Sequence, residues 1–171
     1  MASGRQETAA EGRLSRLLDS PVIGMTPWIA MSVLVGPGRY ELAVGVSLAL
    51  AVAIVIVGRI RSPGASFKIL EISDVVFFAA MAVIGIFPSA GTHRWLENYS
   101  GELSNIALMV IALGSMAVGV PFTLQYAREQ VPREFWDNPR FLRTNYRITG
   151  TWGAAFGVAA IAGAYGDWAS R

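Results

Sequence analysis

The 171 residues hold no cysteine, a net charge of +2 and only 15% charged side chains against 53% hydrophobic ones. That excludes disulfides, thiolate metal sites and cysteine nucleophiles, and so small a net charge gives nucleic-acid binding no support. Mean hydropathy is +0.45, and the charges fall in short blocks between long apolar runs, the pattern of an all-α, multi-pass integral membrane bundle.

In chain order, residues 1–20 (MASGRQETAAEGRLSRLLDS) are polar where a secretory leader would carry its apolar core, so no cleavable signal is expected. They read as a cytoplasmic N-terminal tail. A crossing helix needs about 20 mostly apolar residues, each rising 1.5 Å through a core of about 30 Å. Five segments within residues 21–166 are read as spans, at about 21–36, 41–58, 69–87, 103–126 and 147–166, followed by an external tail at 167–171. The first, Pro21–Val35, is short and holds Pro21, Gly24 and Pro27, so a re-entrant path is its alternative.

Charge decides between the two. With five crossings and the N-terminus inside, one side receives Arg5, Arg13, Arg16, Arg59, Arg61, Lys68, Arg128, Arg133, Arg140, Arg143 and Arg147, and the other Arg39, Arg94 and Arg171. Eleven cations against three obeys the positive-inside rule, whereas four crossings would leave eight against six. An odd span count argues against an inverted-repeat transporter in one chain.

The third span opens on FKILEISDVVFF, where Glu71 and Asp74 share a helix face and Lys68 precedes them. The structural reading is an acidic helix start, favoured by the helix dipole and satisfied by Lys68 or a loop arginine. The functional reading makes Glu71, Asp74 and Lys68 a ligand- or proton-binding group. His93, the only histidine, lies in GTHRWLENYS and reads as a solvated residue of an outer loop. One histidine excludes bis-histidine haem and a histidine-rich metal site, so neither cofactor nor metal is expected. Trp95, Tyr99, Tyr165 and Trp168 fit an outer aromatic belt.

Pro121 should kink the fourth span near its end. Ser115 with Gly119 on that span, and Gly153 with Gly157 on the last, give small-x-x-x-small faces that let helix backbones approach. Contact between these two helices is expected, a homodimer face being the alternative. Between the spans, Pro132 suits the opening of a short helical turn. Asn138-Pro139 suits the start of the last helix, which should run below the membrane before crossing it. On it Arg140, Arg143 and Arg147 share one face, and Phe141, Asn145, Ile148 and Trp152 a neighbouring one. With Arg133 and Trp136 they make a surface for anionic lipid or for a partner protein, or ordinary basic anchoring at the headgroup layer. No nucleophile–base pair is present, so an enzyme is not expected.

The proline- and aromatic-containing loop, then Arg147 and Trp152 as R-x-x-x-x-W leading into a final apolar helix, resembles the bacterial intracellular septation protein A-like inner-membrane proteins. Trp136 and Arg143 lie just upstream, and HRWLEN resembles that family's Trp-containing loop before the fourth span. The likeness covers about residues 20–165, with Thr149 standing where such proteins carry asparagine. It implies a bacterial inner-membrane protein that acts in envelope maintenance or division by binding other integral membrane proteins, and no catalytic residues. The alternatives are an accessory subunit of a respiratory or photosynthetic complex, and a small proton-coupled or lipid-handling transporter that uses Glu71 and Asp74.

Overall fold

The computed structural model describes residues 20–64, 66–86 and 90–169, all of them helix, turn or loop. Its helices are α1 (Pro21–Gly24), α2 (Thr26–Leu34), α3 (Tyr40–Arg61), α4 (Ile69–Gly85), α5 (Ala90–Ala117), α6 (Phe122–Glu129) and α7 (Pro139–Ala169), with a 3-10 turn at Arg133–Phe135. Residues 1–19, with Arg5, Arg13 and Arg16, and residues 170–171 lie outside the described part.

α1 and α2 form one interrupted rod. Pro27 has no N–H to give the Ile23 carbonyl; the Thr26 hydroxyl donates to that carbonyl instead, at 2.7 Å. Gly38, at φ +70°, turns the chain into α3. There Tyr40, in the first turn of α3, donates its hydroxyl to the Met81 carbonyl near the end of α4, at 2.8 Å. At the other end of this hairpin the Arg59 guanidinium lies 3.5 Å from the Phe67 ring centroid. α3 and α4 are therefore antiparallel.

α5 and α7 form a second antiparallel pair. Gly153 packs on Ala112 and Leu113, and Gly157, one turn further, on Met109. The core between the two pairs and α2 is aromatic: Trp28 sits 4.7 Å from Phe77 and 5.0 Å from Phe78, centroid to centroid. Met31, Leu70, Met81, Leu96, Phe122 and Tyr126 are buried around it.

Three helices among the described residues are long and apolar enough to cross a membrane, Tyr40–Arg61, Gly91–Ala117 and Pro139–Gly166, against five spans expected. The shortfall has a local cause in each case. The proline-broken first segment leaves only nine residues in α2, and α4 stops at seventeen.

The fourth span differs at both ends. Helix α5 begins at Ala90, so GTHRWLENYS is helical and not a loop. It ends at Ala117, and Pro121 produces a break where a kink was expected. Gly119, at φ +81°, closes α5 by donating its N–H to the Met116 carbonyl at 3.1 Å. Ser115 then accepts the Phe122 N–H at 3.0 Å, tying α6 back to the end of α5. Gly119 thus lies outside the helix and makes no small-x-x-x-small face with Ser115. Further on, the Asn138 carboxamide accepts the Arg140 N–H at 2.9 Å, so α7 starts at Pro139. Pro132 precedes the 3-10 turn as its N-cap.

Candidate functional site

The bundle has two unlike ends. Arg59, Arg61, Lys68, Arg128 and Arg133 lie at the end where α3 closes and α4 and α6 meet. Gly38, Glu41, His93 and Glu97 lie at the other: Gly38 N–H donates to Glu97 at 2.7 Å. His93 there is no solvated loop residue. Its Nε2 is 2.9 Å from the Gly85 carbonyl and its Nδ1 3.2 Å from Glu41, so it ties the start of α5 to both helices of the first hairpin.

The basic end holds the densest polar arrangement. Lys68 Nζ stands 3.3 Å from Glu71 and 3.0 Å from Glu129, and its ammonium lies 4.6 Å from the Tyr126 ring centroid. One lysine therefore joins α4 to α6. Gln125 adds a second link by accepting the Ile69 N–H at 2.7 Å, which satisfies one of the orphan donors at the start of α4. The amphipathic α6 buries Phe122, Thr123, Leu124 and Tyr126 and so closes the base of the bundle.

One turn above Glu71, Asp74 points inward and is 1% exposed. Its Oδ1 accepts the Trp28 indole N–H at 2.7 Å, and its Oδ2 has no hydrogen-bond partner among the described residues. The two acids thus have different partners: Glu71 takes Lys68, while Asp74 fastens α4 to α2. Trp28 was not singled out from the sequence. A buried indole N–H needs an acceptor, and Asp74 was the candidate at hand. The Tyr126 hydroxyl also lacks a partner among the described residues, and it abuts Gly24: a Cβ there would stand 2.5 Å from that oxygen.

The arginines of the opening to α7 divide into two groups. Arg128 and Arg133 flank the Trp136 ring at 5.2 and 5.4 Å, and the Trp136 indole N–H points at the Arg128 and Val131 carbonyls. A cavity of about 630 Å³ opens beside them, bordered also by Lys68, Gln125 and Glu129. Arg140, Arg143 and Arg147 lie on the exposed face of α7, away from that cavity. Ile148 and Trp152 are exposed near them, Trp152 stacking on Phe156 at 5.6 Å. Asn145 departs from that surface. It is buried, and its carbonyl accepts from Thr123, whose hydroxyl also meets Thr149 at 2.8 Å. Asn145 and Thr149 hold α6 against α7.

Of the small residues, Gly153 and Gly157 face α5 within the chain, while Ser115 serves the turn into α6. Trp95 lies 5.3 Å from Tyr99, and Tyr165 5.8 Å from Trp168, both pairs far from the basic end. No family model, curated protein or solved structure matches the chain.

Proposed function

We propose that the chain is a non-catalytic, five-pass protein of a bacterial inner membrane that works by binding membrane lipid and other integral proteins, in envelope maintenance or division. The observation that carries this reading is the distribution of side chains on the long helices. Ile56, Val57 and Ile60 on α3 and Val158 and Ile161 on α7 are exposed, while the polar groups turn inward and bind helix to helix. Such a surface suits acyl chains or the flank of another membrane protein. The resemblance to the septation protein A-like proteins agrees with that role and rests on Trp136, Arg143, Arg147 and Trp152.

Where the short elements end supports five crossings. Gly24 abuts Tyr126 and Leu70 at the basic end, and the chain reaches Gly38, beside Glu97, at the other. The stretch from Gly24 to Gly38 therefore leads from one end of the bundle to the other. The seventeen residues of α4 rise about 26 Å, and lipid thins, or flanking side chains snorkel, around spans of that length. The basic end is cytoplasmic by the positive-inside rule.

The absence of native cysteine makes this directly testable. Ser3→Cys and Pro63→Cys should be shielded from a membrane-impermeant maleimide in intact cells, and Pro37→Cys labelled. Labelling of Pro37→Cys and Pro63→Cys from one side would rule out a crossing by α3. For the binding role, crosslinking in native membranes should recover integral proteins or lipid. Recovery of the chain alone would defeat it.

A second reading, a proton-coupled carrier, is favoured by one detail: the buried, unpartnered Oδ2 of Asp74. It requires Asp74→Asn or Glu71→Gln to abolish a measurable flux while insertion stays normal. Silence of both variants in flux assays removes it.

A further inference from the structure

Two buried oxygens toward the basic end of the bundle, Asp74 Oδ2 and the Tyr126 hydroxyl, have no hydrogen-bond partner among the described residues. Asp74 is 1% exposed and Tyr126 2%. They stand on different helices, α4 and α6, and do not bond to each other. A buried polar group left in this state is costly, more so where lipid surrounds the bundle.

The register of the elements sets the gap between the two oxygens. The Tyr126 hydroxyl and Leu70 meet at Gly24: a Cβ there would stand 2.5 Å from the hydroxyl oxygen and 3.0 Å from the Leu70 side chain. Trp28 follows Gly24 by four residues, Asp74 follows Leu70 by four, and these two are bonded in turn at 2.7 Å. Asp74 therefore lies one turn, about 6 Å, above the level of the hydroxyl. Side chains on a helix lean toward its N-terminus, so Asp74 leans toward the start of α4 and toward Tyr126. Two oxygens that share one water, each about 2.8 Å from it, stand at most about 5.6 Å apart. One turn, shortened by that lean, gives such a spacing.

The donors and acceptors select the ligand. A phenol hydroxyl donates and a carboxylate oxygen accepts, and a water can take the first bond and give the second. A hard metal cation would need about six oxygen ligands. Leu70 and Gly24 add no side-chain oxygen here, and Trp28 presents only an N–H.

We propose that one water molecule is held between the Tyr126 hydroxyl and Asp74 Oδ2, bridging α6 to the Asp74–Trp28 bond. The rod of α1 and α2, the helix α4 and the amphipathic α6 then meet at a single water. Gly24 leaves room for the hydroxyl that holds it. The bridge does not depend on how many helices cross the membrane or on what the protein binds. It occupies the carboxylate oxygen on which the carrier reading rests.

The test is infrared difference spectroscopy on the full chain in phosphatidylcholine nanodiscs, in deuterated water of the ordinary and of the heavy oxygen isotope. The native chain should show an O–D stretch that Tyr126→Phe and Asp74→Leu both lack and Thr149→Val keeps. That band should move to lower frequency with the heavy isotope, which enters a water but not a phenol. In a dodecyl sulfate titration, Tyr126→Phe should raise the unfolding equilibrium constant about threefold, the size of one average interhelical hydrogen bond in a membrane. In the Asp74→Leu background it should have no effect. If Asp74→Leu does not assemble, Trp28→Phe/Asp74→Leu, which also removes the orphaned donor, takes its place in both measurements.

A band that ignores the isotope would mean that tyrosine and aspartate bond directly, and overturns the proposal. A band that survives Tyr126→Phe places the water elsewhere and overturns it too. Equal effects of Tyr126→Phe in both backgrounds would show that the two oxygens share nothing, with the same result.

Discussion

The two helix pairs of this bundle are held together by different means. In α2, α3 and α4 the links are single polar bonds between distant residues, Trp28 to Asp74 and Tyr40 to the Met81 carbonyl, and Lys68 to Glu129 ties α4 to α6 in the same way. Between α5 and α7 the link is close approach of backbones, with Gly153 against Ala112 and Gly157 against Met109. Lipid is as apolar as leucine, so burying leucine between helices gains little there; packing and hydrogen bonds do the work that water does for soluble proteins. Short elements such as α1 and α2 offer little length for packing and rely on bonds. Long helices such as α5 and α7 rely on contact along their length.

The contrast is broken most severely by widening the α5–α7 seam. Gly153→Leu/Gly157→Leu puts two side chains where Leu113, Ala112 and Met109 already stand at 3.1–3.4 Å from an added Cβ. Overpacking costs about 1–3 kcal/mol per site, so the pair should lower stability by about 2–6 kcal/mol in a dodecyl sulfate unfolding titration. The first hairpin should survive, with Trp28 fluorescence near its native value. Unchanged stability would mean that the seam is not a packing contact.

Next comes the polar side. Asp74→Leu leaves the buried Trp28 N–H without an acceptor, which costs about 1–3 kcal/mol. Asp74→Asn keeps a carbonyl oxygen for the indole and should cost less. Trp28→Phe, which removes the donor, should make Asp74→Leu nearly neutral by comparison. If Asp74→Leu proved as stable as the native chain, polar anchoring of α2 would fail, and with it the distinction between the two halves.

Much of this was legible in the sequence, and the gaps have physical reasons. Asn138-Pro139 located the start of α7, because a capping side chain followed by proline is a purely local signal. Glu71 and Lys68 were recognisable as partners for the same reason, lying one turn apart. The Trp28 contact was hidden because its acceptor is 46 residues away. The polar run GTHRWLENYS masked a helix, since Leu96 faces the core while Glu97 binds Gly38 and His93 meets Glu41 and Gly85 across the end of the bundle. Pro121 was correctly taken as a disturbance, but Gly119 beside it turned a kink into a break. The arginines of α7 could be placed on one face by spacing alone. That a cavity opens beside Arg59 and Arg61 depends on how the hairpin closes, which no local pattern encodes.

The smallest expected effect falls where the two modes meet. Thr149, on α7 between the basic face and Gly153, is the hydroxyl partner of Thr123 on α6 at 2.8 Å. Thr149→Val keeps the shape and removes the bond. Interhelical hydrogen bonds in membranes average about 0.6 kcal/mol, so the loss should be near that and additive with Gly153→Leu/Gly157→Leu only if α6 docks independently of the seam. Thr149→Asn, which restores a polar group but adds bulk at a fully buried site, should cost more than valine does. A valine variant as damaged as Asp74→Leu would show that α6 is held by this bond and not by Phe122, Leu124 and Tyr126. The base of the bundle would then belong with the polar-anchored half.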